Sequence, residues 1–381
     1  MSTPTLTRSG ADPAELSAGK APHRRRTTTT RRLVARTSGM AVGAGVLLFL
    51  PNLTIWAGPN YAIDYGVIIA MVVLSASVLG WIGEFSLAIV AMMGFGLVGI
   101  NMLQDAEVPF VFIIPLVAIG SIPISLILGT FALRLRGVYF AIATLAFAYL
   151  AQKTVFEEIL GVQGGFGGTQ SNSISRPKFF AANDFRFYYL LIGTLLLLAA
   201  ICWAVNRSRI GTSLTALRES EMALSCLGHA PGAYKLFAIC LSGGIAAIAG
   251  AYFGMLQGLV PANYFTPGLA ILYFAYAVVG GLGSVGGAIA AGIFFGSIPK
   301  FVDSLAEGEL VGYEPFFIGI AVVLVVLFEP GGLAAIGHKI WARIEGPPPP
   351  ADVDVTDAAL SAAPTIDWAH TAEVGVGVGQ P

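Results

Sequence analysis

The side chains best suited to chemistry in this chain belong to one charged internal segment, residues 206–235, NRSRIGTSLTALRESEMALSCLGHAPGAYK. Its charged side chains include Arg209, Arg218, Glu219 and Glu221, which can form ion pairs and charge-assisted hydrogen bonds. The sequence contains no HExxH, GxSxG or Walker pattern that would add a metal site, a nucleophile or a phosphate site. The chemistry available is therefore recognition of another protein or membrane surface.

The chain around this segment is strongly apolar. Of its 381 residues, 56% are hydrophobic and only 11% are charged, whereas soluble domains carry about 25% charged residues. The 47 glycines agree with a membrane protein, because glycine lets membrane helices approach closely. This composition excludes a soluble globular protein.

Hydrophobic runs long enough to cross a bilayer recur along the sequence. A core of about 30 Å needs roughly 20 apolar residues in a helix. We predict an all-α polytopic membrane protein with about 8–10 transmembrane helices. The predicted spans are residues 39–56, 62–82, 85–103, 110–133, 138–155, 188–205, 236–256 and 316–328, with a further apolar stretch at 269–298.

The stretch 269–298 is too short for two full helices and contains GGLGSVGG at residues 280–287. We expect two short or tilted half-helices that meet at these glycines, or a re-entrant hairpin. A plain glycine-rich packing seam between helices is the alternative. The segment GWIGEFSLAIVAMMGFG from Gly80 resembles GGLGSVGGAIAAGIFFG, which suggests an internal repeat.

Basic residues predict the orientation of the bundle. Sixteen of the 21 lysines and arginines fall in segments that simple alternation of the spans places on one side, and that side is the cytoplasm by the positive-inside rule. We divide the chain into a disordered basic tail (1–38), a membrane domain (39–345) and a disordered C-terminal tail (346–381). Both tails are predicted to be cytoplasmic.

The charged segment is predicted to contain a short amphipathic helix outside the bilayer. Apolar residues recur at helical spacing between Ser213 and Leu227. Thr212 or Ser213 can cap its start, and Gly228 suits the position after its end. Such a helix can rest on the membrane, dock on its own bundle or fill a groove in a partner, or it can simply link two spans.

The segment SRIGTSLTALRESEMALSCLG, residues 208–228, resembles the cytoplasmic coupling segment of permease subunits from branched-chain amino-acid ABC importers. The likeness extends to RLRGVYFAIATLAFAYLAQ from Arg134, to the glycine-rich region from Ser242, and to LFEPGGL from Leu327. It covers about residues 40–345. We call residues 206–233 the coupling segment.

The resemblance implies an inner-membrane permease subunit of a bacterial importer, without an ATPase site or cofactor of its own. It implies a second related permease, two ATP-binding subunits that bind the ATP, and an extracytoplasmic substrate-binding protein. The expected ATPase-contacting residues of the coupling segment are Arg209, Gly211, Arg218, Glu219, Glu221 and Gly228.

A branched-chain amino acid needs dipoles for its charged ends and an apolar wall, and half-helix ends supply such dipoles. The first candidates for the substrate path are Gly281, Gly283, Ser284, Gly286 and Gly287. Tyr139, Phe140 and Thr144 come next, although the two aromatic residues also suit packing or an interface. Glu84 is a candidate because an intramembrane carboxylate suggests function, but it also suits the cytoplasmic interface.

Two other classes of membrane protein would require residues that differ from those of an ABC permease. An ion-coupled secondary carrier would carry several acidic or basic residues within its spans, and these are nearly absent. A membrane enzyme would cluster His, Asp or Glu at one membrane face, and no such cluster is evident. Within the permease class, urea and short-amide importers remain alternatives to amino-acid importers.

Overall fold

A computed structural model describes residues 57–157 and 184–305, except Leu259, together with the single residues Gly319, Ile320, Val323, Leu327 and Gly332. At residues 57–60, 184, 262 and 302–305 only the backbone is described. Both predicted tails and the span at 39–56 lie outside these residues, as does most of the span at 316–328.

The described part of the chain is built from helices. In chain order they are α1 (Ala57–Leu79), α2 (Ile89–Asp105), α3 (Phe110–Arg134), α4 (Val138–Ala151), which continues as a π-helix (Gln152–Phe156), α5 (Asp184–Arg207), α6 (Arg209–Glu219), α7 (Glu221–Cys226), α8 (Pro231–Gln257), a 3₁₀ turn (Ala262–Tyr264), α9 (Pro267–Gly280) and α10 (Val285–Leu305).

Within the described residues, five helical stretches are long and apolar enough to cross a membrane, namely Tyr61–Leu79, Phe110–Arg134, Val138–Phe156, Phe185–Arg207 and Pro231–Gln257. Three shorter apolar helices accompany them, namely Ile89–Asp105, Pro267–Gly280 and Val285–Phe301. Each predicted span within the described residues matches one of these helices, and the stretch 269–298 matches two. The prediction of an all-α polytopic membrane protein is confirmed.

Helix α1 forms the centre of the described bundle. It packs on α10, α8, α5 and α9, and Val67 to Leu74 are fully buried. Close approach to α10 depends on a small residue, because a Cβ at Gly292 would lie 2.2 Å from Ala70 Cα. Glycine at such a contact lets two apolar helices meet backbone to backbone.

Helices α3 and α4 form the outer face of the described bundle. Large apolar side chains stand exposed along them, including Val111, Phe112, Ile119, Val138 and Tyr139. In water such a continuous apolar surface would be unstable. It is the surface expected where helices face lipid or another membrane subunit.

Candidate functional site

The coupling segment folds as two helices rather than the single helix predicted from Ser213 to Leu227. Helix α6 begins after Ser208, whose hydroxyl accepts a hydrogen bond from Gly211 N–H, and α7 begins after Ser220, whose hydroxyl accepts one from Ala223 N–H. The predicted caps, Thr212 and Ser213, were therefore wrong. The helix is interrupted at Ser220, because this serine has an extended backbone and caps the start of α7.

Gly228 lies just past the end of α7, the position predicted for it after the last coupling helix. It has a φ of +80°, the left-handed conformation that glycine adopts without steric penalty after a helix. Gly211 has another structural role, since a Cβ there would lie 2.2 Å from the carbonyl oxygen of Asn206. Glycine at this position permits the tight turn between α5 and α6.

The two short helices bury one face and expose the other. Leu214, Leu217 and Leu224 are buried, so the segment docks on its own bundle, one of the options left open by the sequence. The exposed face carries the charged residues Arg209, Arg218 and Glu219, together with Met222 and Leu227, which are 79% and 75% exposed. Leu227 belongs to the apolar spacing noted between Ser213 and Leu227, but it lies just past Cys226, the last residue of α7, and is exposed.

Glu221 points back toward the bundle and joins a group that we call the charge cluster: Glu84, Arg136, Glu221 and Lys235. Glu221 forms an ion pair with Arg136. Lys235 Nζ donates to Glu221 Oε2 at 3.3 Å and lies 3.8 Å from Glu84 Oε1. The side chains of Lys235 and Glu84 are only 5% and 8% exposed. Buried charges require this kind of mutual compensation, because removing them from water is costly.

Glu84 makes one more contact, with the start of α4. Gly137 N–H donates to its Oε2 at 3.1 Å, and Gly137 is the residue that precedes α4. A carboxylate at a helix N-terminus is stabilised by the unpaired N–H groups there. Glu84 thus lies between α4, α8 and the coupling segment, and its expected place on the substrate path stays a prediction.

The predicted break at the glycines is present, and we call residues 281–284 the glycine turn. Helix α9, which precedes the turn, has only 14 residues, too few to cross about 30 Å. Helix α10, which follows the turn, has 21 residues. Gly281 and Gly283 have φ values of +93° and +87°, which side chains with a Cβ rarely adopt. The turn reverses the chain at the C-terminal end of α1.

The α1–α2 linker, residues 80–88, holds the glycine turn. Trp81 Nε1 donates to the carbonyl of Gly283 at 2.9 Å, and Gly283 N–H donates to Ser77 Oγ at 3.1 Å. A Cβ at Gly80 would lie 2.7 Å from Gly283 N. The two segments that resemble each other in sequence therefore begin at two turns in direct contact.

The remaining path candidates divide between buried and exposed positions. Gly287 is buried, Gly286 is exposed, and Ser284 is intermediate. Phe140 and Thr144 are buried, whereas Tyr139 is 75% exposed on the outer face. Thr144 Oγ1 accepts a hydrogen bond from Leu87 N–H at 2.9 Å, so it joins α4 to the linker that also holds the glycine turn.

Three residues of this arrangement were not singled out from the sequence. Lys235 and Arg136 were used only as markers of orientation, although a lysine near the start of an apolar helix is itself a signal for a buried partner. Trp81 was overlooked because an aromatic residue at the end of a span usually marks the membrane interface. Its indole N–H instead reaches a backbone carbonyl.

The helices α1 and α8 are also joined within the bundle by two serines. Ser75 Oγ donates to the carbonyl of Ser242, and Ser242 Oγ donates to the carbonyl of Ser75, both at 2.9 Å. A small cavity adjoins this pair and is also lined by Ser86 and Ser125. Its volume of about 10 Å³ is close to the minimum for one water molecule.

The sequence model of a family described as "Branched-chain amino acid transport system / permease component" matches residues 59–326. This match includes the coupling segment, the charge cluster and the glycine turn. The chain belongs to this permease family. Membership agrees with the several apolar helices of a multi-pass membrane protein.

Curated relatives support the same assignment. The chain is 29% identical over 243 residues to the high-affinity branched-chain amino acid transport system permease protein LivM of Salmonella typhimurium, covering 58% of this chain and 56% of that protein. Its Escherichia coli counterpart is 28% identical over 246 residues, covering 58% and 56%. The autoinducer 2 import system permease protein LsrC of Yersinia pestis is 26% identical over 175 residues, covering 44% and 47%.

The permease thus spans about half the length of the curated relatives it matches. No solved structure matches it significantly.

Proposed function

We propose that this permease is the membrane-embedded subunit of an ATP-driven importer for branched-chain, hydrophobic amino acids. The observation that carries the proposal is the family match over residues 59–326, which spans the coupling segment and the glycine turn together. The relatives named for high-affinity branched-chain amino-acid transport favour this substrate class. The proposed location is the bacterial inner membrane, with both termini in the cytoplasm.

The proposed docking surface for the ATP-binding subunits is the exposed face of the coupling segment. Met222 and Leu227 offer apolar contact area there, beside the charged side chains of Arg218 and Glu219. Apolar anchors surrounded by charge are typical of specific protein interfaces. ATP is bound by the partner subunits in this proposal, and the permease contributes the surface that they move.

Two further partners complete the proposed importer. A second, related permease suits the exposed apolar face of α3 and α4, which no other described helix covers. An extracytoplasmic binding protein delivers the substrate to the opposite end of the bundle from the coupling segment.

The glycine turn is the proposed contact point for the substrate. The C-terminal end of α9 and the N-terminal end of α10 meet at this turn, so carbonyl and N–H ends of opposite polarity lie side by side. A zwitterion requires such a pair, because its carboxylate favours the N–H end and its ammonium the carbonyl end. Movement of the coupling segment by ATP-driven closure then shifts the bundle between two states.

Other solutes define the alternatives within this function. One relative is named for the import of autoinducer 2, a solute of a different class. Urea and short amides remain predicted alternatives. An ion-coupled carrier that works alone is a further, less favoured alternative. These possibilities differ in the solute moved and in whether nucleotide is needed.

Reconstitution tests the proposal directly. The permease is co-expressed with the adjacent genes for ATP-binding subunits, second permease and binding protein, and placed in proteoliposomes with labelled leucine. Uptake that requires ATP and is inhibited by isoleucine and valine, but not by urea, is expected. Uptake of urea instead of leucine would contradict the substrate class, and uptake by the permease alone under an ion gradient would contradict the ATP-driven mechanism.

A further inference from the structure

The charge cluster joins four parts of the chain that are far apart in sequence. Glu84 belongs to the α1–α2 linker, Arg136 to the turn before α4, Glu221 to α7 in the coupling segment, and Lys235 to the second turn of α8. Two acidic and two basic side chains make the group electrically neutral. Any displacement of α7 must therefore rearrange contacts in all four elements.

The contacts within the cluster allow two neutral arrangements. Glu221 has two basic partners, since it contacts both Arg136 and Lys235. Lys235 likewise has two acidic neighbours, with Glu221 at 3.3 Å and Glu84 at 3.8 Å. If α7 moves away from α8, Glu221 keeps the exposed Arg136, and Lys235 keeps the buried Glu84. Each buried charge therefore keeps at least one partner of opposite charge. A buried charge without a partner would be strongly destabilising.

The same linker that carries Glu84 holds the glycine turn. Trp81 precedes Glu84 by three residues and donates its indole N–H to Gly283. Between them, Gly83 packs under the side chain of Arg218 in the coupling segment, where a Cβ would lie 3.0 Å from Arg218 Cγ. One short segment thus contacts the coupling segment at one end and the glycine turn at the other.

We propose that Lys235 and Glu84 are positioning residues that transmit movement of the coupling segment to the glycine turn. When α7 is displaced, Lys235 exchanges Glu221 for Glu84 and shifts the linker, and Trp81 carries the shift to Gly283. The inference rests on the proposed function, because it assumes that a partner moves the coupling segment. It adds a discrete exchange of ion pairs, the kind of two-state element that coupling between distant sites requires.

The test follows the accessibility of the glycine turn in the complete complex. Gly286→Cys supplies a reporter thiol, because Gly286 is exposed and a Cβ there meets nothing within 4 Å. Cys202, Cys226 and Cys240 are first replaced by alanine, and this background is the reference. The rate of labelling by a small maleimide is measured without nucleotide and with ATP and vanadate, alongside ATP hydrolysis and co-purification of the ATP-binding subunits.

In the reference protein, ATP and vanadate are expected to change the labelling rate. Glu84→Gln and Lys235→Met should abolish most of that change while the ATP-binding subunits still co-purify and hydrolyse ATP. Lys235→Arg, which keeps a positive charge beside both Glu221 and Glu84, should retain part of it. Lys153→Met and Glu157→Gln, which disrupt a more exposed ion pair on α4, serve as the control and should leave the change intact.

Three results would overturn the inference. The first is a labelling rate that does not change with nucleotide in the reference protein. The second is an unaltered nucleotide response in both Glu84→Gln and Lys235→Met. The third is loss of assembly and ATP hydrolysis in both of these variants, with no nucleotide response in Lys235→Arg. Failure of the proposed function looks different. A wrong substrate class would leave the labelling response intact while ATP-dependent leucine uptake is absent. A wrong ATP-driven mechanism would be seen as ATP-binding subunits that do not co-purify with the reference protein.

Discussion

The indole N–H of Trp81 donates a 2.9 Å hydrogen bond to the carbonyl of Gly283, across more than two hundred residues of sequence. This bond fixes the glycine turn against the end of α1, the most deeply buried of the five candidate spans. The turn is therefore held by the core of the bundle.

Replacing Trp81 by phenylalanine should destabilise the glycine turn. The substitution keeps an aromatic ring but leaves the Gly283 carbonyl without its donor, which costs about 1–3 kcal/mol when the group is buried. Thermal unfolding of the purified permease in detergent measures the loss. Trp203→Phe is the control and should have a smaller effect, because phenylalanine keeps an aromatic ring beneath the Arg207 side chain; equal effects would contradict the role of the bond.

Alanine at Gly283 should be tolerated far less well than alanine at Gly286. The positive φ of Gly283 forces a Cβ into a strained conformation that costs about 1–2 kcal/mol. At Gly286, within helix α10, a Cβ meets open space, and alanine should stabilise the helix by about 0.5–1 kcal/mol. The two variants are compared by unfolding temperature and by leucine uptake. A Gly283→Ala protein as stable as Gly286→Ala would contradict the geometry of the turn.

The exposed and buried faces of the coupling segment should respond differently to substitution. Met222→Asp and Leu227→Asp are expected to reduce co-purification of the ATP-binding subunits while leaving the unfolding temperature of the isolated permease unchanged, because both side chains are exposed. Leu224→Ala should instead destabilise the permease by about 2–5 kcal/mol, the usual cost of removing a buried leucine side chain.

The control for that experiment is Ala106→Asp, which adds a charge at an exposed position between α2 and α3, outside the coupling segment. It should leave co-purification unchanged. Undiminished co-purification in the Met222 and Leu227 variants would place the docking surface elsewhere.

The reciprocal serines of α1 and α8 should behave as one unit. Ser75→Ala alone removes the hydroxyl that donates to the carbonyl of Ser242. Hydrogen bonds between membrane helices contribute about 0.6 kcal/mol on average. The double variant Ser75→Ala with Ser242→Ala should be less destabilised than the sum of the single variants. Unfolding measurements on all four proteins provide the cycle, and strict additivity would show that the two hydroxyls act independently.

The positions of the membrane helices were accessible from sequence because hydrophobicity and length are local properties. The bounds of α3, predicted as 110–133 and observed as Phe110–Arg134, show how sharply a charged residue marks the end of a span. The glycine turn was predicted for a similar reason, since a 30-residue apolar stretch with central glycines has few other conformations.

The contacts that complete the site were not accessible, because they join residues distant in sequence. Nothing near Lys235 indicates that Glu84 is its neighbour, and nothing near Gly283 indicates Trp81. The break of the coupling segment at Ser220 was missed because the apolar spacing continues across it, while a serine cap decides the local backbone. Local sequence patterns predict where helices lie, whereas the contacts between helix ends can be identified only from the three-dimensional structure.

The central position of α1 has a consequence for biogenesis. Among the described helices α1 is the first to leave the ribosome, yet α8 and α10, which enclose it, are synthesised much later. Its packing surface, including Gly66 and Ala70 against α10, must meanwhile be shielded by lipid or by the insertion machinery. A chain truncated before α10 is therefore expected to remain a substrate for membrane quality control, however well its earlier helices have inserted.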